Sequence, residues 1–227
     1  VPALGLRCPL PAMPSIEENR DFWGRGYHWK DLGEEWGPKD PRWKATILEL
    51  AVDPYQAPGA RVLEIGPGGG RFTEELLRRG PSSLVLVDLA EKCLDMCRQR
   101  FGPDPRLSYL LGDGRSLAGV ADASIDFCFS FDVFVHIEKA ELEAYFAELV
   151  RVLVPGGVAS IHYATIDRAD LAQDPDPRVG WRADYRSGDM QALLARLALE
   201  PLLDFYHRFL SCGNSSLVSF RKPHASR

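Results

Sequence analysis

Residues 61–72 read RVLEIGPGGGRF, a short apolar run that breaks into five consecutive glycine or proline residues. A strand ending in such a loop is how open α/β sheets hold nucleotide-like ligands at their edge. Similar apolar runs recur at 84–88, 107–111, 125–130 and 158–163. Each is apolar on both faces, as strands buried between helix layers are. Helical patterns lie between them. Phe72, Leu76 and Leu77 mark the first; Leu89, Cys93, Cys97 and Phe101 mark the second. In the third, Leu142, Phe146, Leu149, Val150 and Leu153 form one stripe, and Pro155-Gly156-Gly157 is expected to end it. A further helix is expected from Ser187 as N-cap, with Met190, Leu193, Leu194 and Leu197 on its apolar side.

Two strand-like runs follow at 199–207 and 215–221, joined closely enough to favour an antiparallel pair. The pattern predicts a doubly wound, mostly parallel, seven-stranded α/β sheet of Rossmann-like type, with an antiparallel last strand. The ligand is expected where the first and fourth strands end, at the topological switch point. Upstream, residues 1–58 carry Trp23, Trp29, Trp36 and Trp43 among charges, and within them 41–52 has a helical look. This divides the chain into an N-terminal arm and lid over 1–58 and a ligand-binding domain over 59–227.

The bulk numbers narrow the function. Among 227 residues, 27 basic against 32 acidic side chains give a net charge of −5, which argues against gripping a phosphate backbone. No run of 18 apolar residues exists to span a membrane, and 1–15 lacks the pattern of a signal peptide. Five cysteines without a CxxC pair read as reduced thiols of a cytoplasmic protein.

The loop itself selects a cofactor. Gly66, Gly68 and Gly70 are spaced GxGxG, and Arg71 stands where the dinucleotide fingerprint needs its third glycine. The P-loop is excluded because no Gly-Lys-Ser/Thr follows. Glu64, an acid at the strand end, would repel a pyrophosphate and welcome a cation. The sulfonium and ammonium groups of S-adenosylmethionine (AdoMet) meet that requirement.

The ExGxGxG pattern after the first strand resembles motif I of class I AdoMet-dependent methyltransferases. By that resemblance Asp88, ending LVLVD, takes the ribose hydroxyls and Leu89 covers the adenine. Asp113, with Gly114 in LLGDG, resembles the acceptor for the adenine amino group. FSFDVFVHI resembles motif IV, which adds Ser130 and Phe131 to the expected cofactor set, and ELVRVLVPGG resembles the turn before the fifth strand. The resemblance covers roughly residues 59–221.

Motif IV here lacks the Asn/Asp-Pro-Pro-aromatic sequence of enzymes that methylate base amino groups or glutamine amides. With the acidic balance, this points to a small-molecule acceptor, at oxygen rather than nitrogen, and to no nucleic-acid or membrane partner. A protein or peptide methyltransferase and a non-catalytic AdoMet-binding subunit remain alternatives. A hydroxyl acceptor needs a base, for which His136 and His162, near the fourth and fifth strand ends, are candidates. Asp132 with these two histidines is too few ligands for a metal, and none is expected. Tyr27, Trp29 and Trp36 are expected in an aromatic lid, and Trp181 and Tyr185 in a second lid after the fifth strand.

Overall fold

The computed structural model describes residues 14–37, 40, 42–165, 185–206 and 215–224. Seven strands form one sheet. They are β1 (Arg61–Ile65), β2 (Ser83–Asp88), β3 (Leu107–Leu111), β4 (Ile125–Phe134), β5 (Leu153–Ala164), β6 (Glu200–Phe205) and β7 (Ser215–Arg221). Their spatial order is β3-β2-β1-β4-β5-β7-β6, with β7 antiparallel to both neighbours and the rest parallel. The chain reverses direction across the sheet between β1 and β4, as expected from the glycine loop. Helices α3 (Thr73–Arg78), α4 (Glu91–Phe101), α5 (Lys139–Val152) and α6 (Ser187–Arg196) connect the strands.

Two apolar cores flank the sheet. Leu63, Cys128 and Ile161 meet Phe146, Leu149 and Met190 on one face. Val62, Leu84 and Phe127 meet Ile47, Leu76 and Leu94 on the other. Helix α2 (Trp43–Ala51) belongs to the second core and buries Trp43, Ile47, Leu48 and Ala51, the face its periodicity predicts. Cys93, Cys97 and Cys128 are buried and unbridged.

Four expectations need correction. Pro155-Gly156-Gly157 lies inside β5, where the register with β4 jumps from Ile125–Leu153 to Phe127–Val158. The stretch pairs with the chain leaving β7: Gly156 donates to the Lys222 carbonyl at 2.7 Å, and Lys222 donates to Gly157 at 2.9 Å. The pairing needs Gly156 at φ +85°, which glycine adopts without strain. Strand β4 also runs four residues past its expected end at Ser130. Ser187 is the first residue of α6 and Arg186 precedes it as the cap. Finally, α1 (Ile16–Asp21) and a π-helical turn over Phe22–Gly26 were not anticipated. A capping box starts α1, with Ser15 Oγ accepting from the Glu18 N–H and Glu18 accepting from the Ser15 N–H. Among the described residues no helix is long and apolar enough to cross a membrane.

Candidate functional site

The ends of β1, β2 and β4 open into one cavity of about 160 Å³. Its floor is the glycine loop. Gly66 has φ +71° and a Cβ there would collide with Val133, so the loop and the β4 end approach as closely as only glycine allows. Glu64, next to last in β1, is 3% exposed and accepts a hydrogen bond from Thr73 Oγ1 at 2.6 Å. Asp88 ends β2 at 8% exposure and accepts from the Ala90 N–H at 2.9 Å and the Gly68 N–H at 3.3 Å.

Burial raises the Glu64 carboxyl to about 7, against the Thr73 hydrogen bond and with help from the Asp88 charge. Asp88 is raised to about 6 by burial, which its backbone hydrogen bonds only partly offset. Two acids are thus held together in low dielectric, and the nearby Arg71 and Arg100 charges, which favour the ionised Glu64, do not outweigh its burial. The donor set fits a cationic ligand bearing hydroxyls. An amine or sulfonium offsets the charge, and the carboxylates retain lone pairs for O–H donors.

The opposite wall is β4. Phe131, Asp132 and Val133 line it, followed by His136 and Ile137. Asp132 has φ +61° and accepts from Arg71 Nη2 at 2.7 Å. Its backbone N–H donates to His162 Nδ1 at 3.2 Å. Although burial works to raise the Asp132 carboxyl, His162 and the Arg71 charge hold it well below the usual range. His162 itself is fully buried on β5 and stacks on Phe131 at 4.2 Å. It stands behind the wall, whereas His136 lies in it. The His136 ring is 5.5 Å from Trp23, and Asn19 Nδ2 donates to its carbonyl at 3.3 Å. His136 also borders a second cavity together with Ser15, Asp113 and Glu141.

The N-terminal segment forms the roof. Trp29, Trp23, Asn19, Leu32 and Gly33 line the cavity. Trp29 lies so close to the floor that a Cβ on Gly68 would sit 2.8 Å from its ring. Tyr27 packs edge-on against Trp29 at 5.0 Å and donates its hydroxyl to Glu35. The Glu35 carboxylate also collects the N–H groups of Lys30, Asp31 and Gly33, which knots the segment.

The structure therefore brings together Glu64, Gly66, Gly68, Asp88, Leu89, Gly114, Phe131, Trp29 and His136. It places others elsewhere. Ser130 is fully buried between strands, where its Oγ donates to the Ile65 carbonyl at 2.8 Å. Asp113 uses both oxygens on its own turn, accepting from Arg115 N–H, Ser116 N–H and Ser116 Oγ, and borders only the second of the two cavities. Tyr185 is fully buried in the core, edge-on to Tyr163 at 6.0 Å, so it forms no lid. Trp181 and most of the expected second lid lie outside the described residues, as do His207 and the side chain of Trp36. No three His, Cys, Asp or Glu side chains cluster as a metal would require among the described residues. Arg71, Asp132, Asn19 and Trp23 are site residues that sequence reasoning missed. The Ser15–Glu18 capping box was a legible signal for the last two.

Residues 63–161 match the family profile described as a methyltransferase domain. That match, over a little under half of the chain, and the shared fold together support a class I AdoMet-dependent methyltransferase. Two curated relatives share parts of it. The biotin biosynthesis bifunctional protein BioHC of Cellvibrio japonicus is 37% identical over 48% of this chain and 20% of its own length. Ribosomal RNA small subunit methyltransferase A of Parasynechococcus marenigrum is 45% identical over 37% of this chain and 26% of its own. The methyltransferase thus spans less than a third of either relative. Among solved structures, geranyl diphosphate C-methyltransferase from Streptomyces coelicolor superposes with a TM-score of 0.70 at 15% identity, covering 94% of this chain and all of that one. That likeness establishes the fold.

Proposed function

We propose that this methyltransferase transfers a methyl group to a small-molecule acceptor, at oxygen rather than nitrogen. The observation that carries the reading is the pair of buried carboxylates, Glu64 and Asp88, beneath an aromatic roof in one cavity. AdoMet, when bound, supplies an electrophilic methyl on a sulfonium leaving group. Asp88 would hold the ribose hydroxyls and Glu64 the cationic end, with Leu89 and Gly114 against the base. Trp29 and Trp23 exclude water, which matters because displacement at the methyl is governed mainly by alignment and dryness. His136, in the cavity wall, is placed to take the proton of an acceptor hydroxyl. His162 orients Asp132 instead.

The net charge of −5 and the roofed cavity favour a small molecule over a polynucleotide. An RNA substrate is the second reading, favoured by the similarity to a ribosomal RNA methyltransferase. Incubation with methyl-labelled AdoMet and, separately, a metabolite extract or total RNA distinguishes the two. The expected label appears in a small molecule. Label in RNA alone contradicts the small-molecule reading, and an unchanged melting temperature with excess S-adenosylhomocysteine contradicts cofactor binding itself.

A further inference from the structure

Arg71 stands beside the glycine loop at 7% exposure, and its guanidinium reaches two different elements. Nη1 donates to the Gly33 carbonyl of the roof at 3.0 Å, and Nη2 donates to Asp132 at 2.7 Å. The rings of Trp43, Phe72 and Phe131 surround it at 5.2, 5.2 and 5.6 Å. Such a box confines the planar group to one orientation, so the two contacts form or break together. Asp132 is the joint of the β4 end. Its positive-φ backbone, uncommon outside glycine, asparagine and aspartate, is held by Arg71 on one side and His162 on the other. Val133 follows directly and fills the space above Gly66.

We propose that Arg71 is a positioning residue through which closure of the roof segment 27–36 fixes the conformation of the β4 end, residues 131–136. With the roof open, Arg71 loses the Gly33 contact that fixes its orientation, and the Asp132 joint loosens with it. With the roof closed, Val133 and His136 are set in the cavity wall. The inference rests on the functional reading above only in treating that wall as the acceptor side. A lysine could not serve both contacts, because it lacks the rigid fork.

Hydrogen–deuterium exchange on the full chain tests the coupling, with S-adenosylhomocysteine as the ligand probe. Asp132→Gly removes the carboxylate while suiting φ +61°. It is expected to speed exchange of the peptide over 27–36, which Asp132 does not reach directly, by about tenfold, the scale of a lost charge-assisted hydrogen bond. Arg71→Met is expected to speed both 27–36 and 131–136. Lys44→Met cuts the 2.6 Å tether to Glu34 and removes the ammonium over the Phe72 ring. By loosening the roof it should speed 131–136 as well while Arg71 is present, and the roof alone when combined with Arg71→Met. In the wild type the probe should slow both peptides, and in Arg71→Met only the roof. If Asp132→Gly leaves roof exchange unchanged, or the probe protects both peptides equally in Arg71→Met, the coupling is overturned. Should Arg71→Met not fold, Asp132→Gly decides alone. Absence of any probe effect on the wild type would count against cofactor binding, and the ligand-free comparison would still test Arg71.

Discussion

The cavity has carboxylates at both ends, and the same chemical group behaves oppositely at each. At the β1–β2 end, Glu64 and Asp88 accept hydrogen bonds from neutral donors, the Arg71 and Arg100 charges act on Glu64 without outweighing its burial, and the pKa values rise to about 7 and about 6. At the β4 end, Asp132 is half-buried, and there His162 and Arg71 hold its carboxyl far below the usual range. The difference lies in the partners, since burial raises all three. A carboxylate already paired inside the protein is structural. One that burial keeps raised, with no cation in direct contact strong enough to offset it, is a place where a cationic ligand lowers the free energy. The comparison separates the residues that bind from the residue that shapes, a distinction that charge and position in the sequence do not make.

The largest expected effect tests the β4 end. His136→Ala should lower kcat by roughly 10²–10⁴-fold on a hydroxyl acceptor, the usual contribution of a positioned base. Cofactor affinity should barely move, and His162→Ala should instead disturb Asp132 and lower stability. Near-normal turnover by the His136 variant would leave catalysis to alignment. At the other end, Asp88→Ala should weaken S-adenosylhomocysteine binding by about 1–3 kcal/mol in calorimetry, the scale of unpaired buried hydrogen-bonding groups. Glu64→Gln separates stability from binding. The raised acid takes up a proton on folding, so its burial becomes a cost as pH rises from the unfolded value through about 7. The neutral amide escapes that cost while still accepting from Thr73. Ligand-free Glu64→Gln should therefore be more stable than wild type at pH 8 by about 1–3 kcal/mol, converge with it near pH 4, and bind AdoMet more weakly. Thermal melts across that range check it; parallel curves would break the contrast between the two ends. Asp113→Ala should have the smallest effect, a few-fold or less in cofactor affinity, because its oxygens serve their own turn.

The sheet was legible because each strand is apolar on both faces and each helix shows its stripe, so local pattern and fold agree. The place of Glu64, Asp88 and the loop glycines in one cavity was legible for a related reason: it follows from standing at a strand end. The β4 end was not. Arg71 read only as a misplaced glycine, since its partners Gly33 and Asp132 lie 38 and 61 residues away. The hydrogen bonds that Ser130 and Asp113 make within the protein were not legible, because Ser130 donates to Ile65, 65 residues away, and Asp113 accepts from the backbone of its own turn. Tyr185 is an aromatic in a polar stretch, and packing on Tyr163 drew it into the core. The first helix was signalled by four residues of capping box within a segment too short to show periodicity.

The central claim, that Glu64 and Asp88, raised by burial, are the cation-accepting end of the cavity, is tested most directly by proton release. Isothermal calorimetry of AdoMet binding at pH 6, in two buffers of different ionisation enthalpy, counts the protons exchanged. Both acids are partly protonated at that pH in the ligand-free protein. Binding of the cation should expel protons at pH 6, expel almost none at pH 8, and tighten as pH rises between them. Glu64→Gln should release fewer. Binding at pH 6 with no proton release and no dependence on pH would contradict the account.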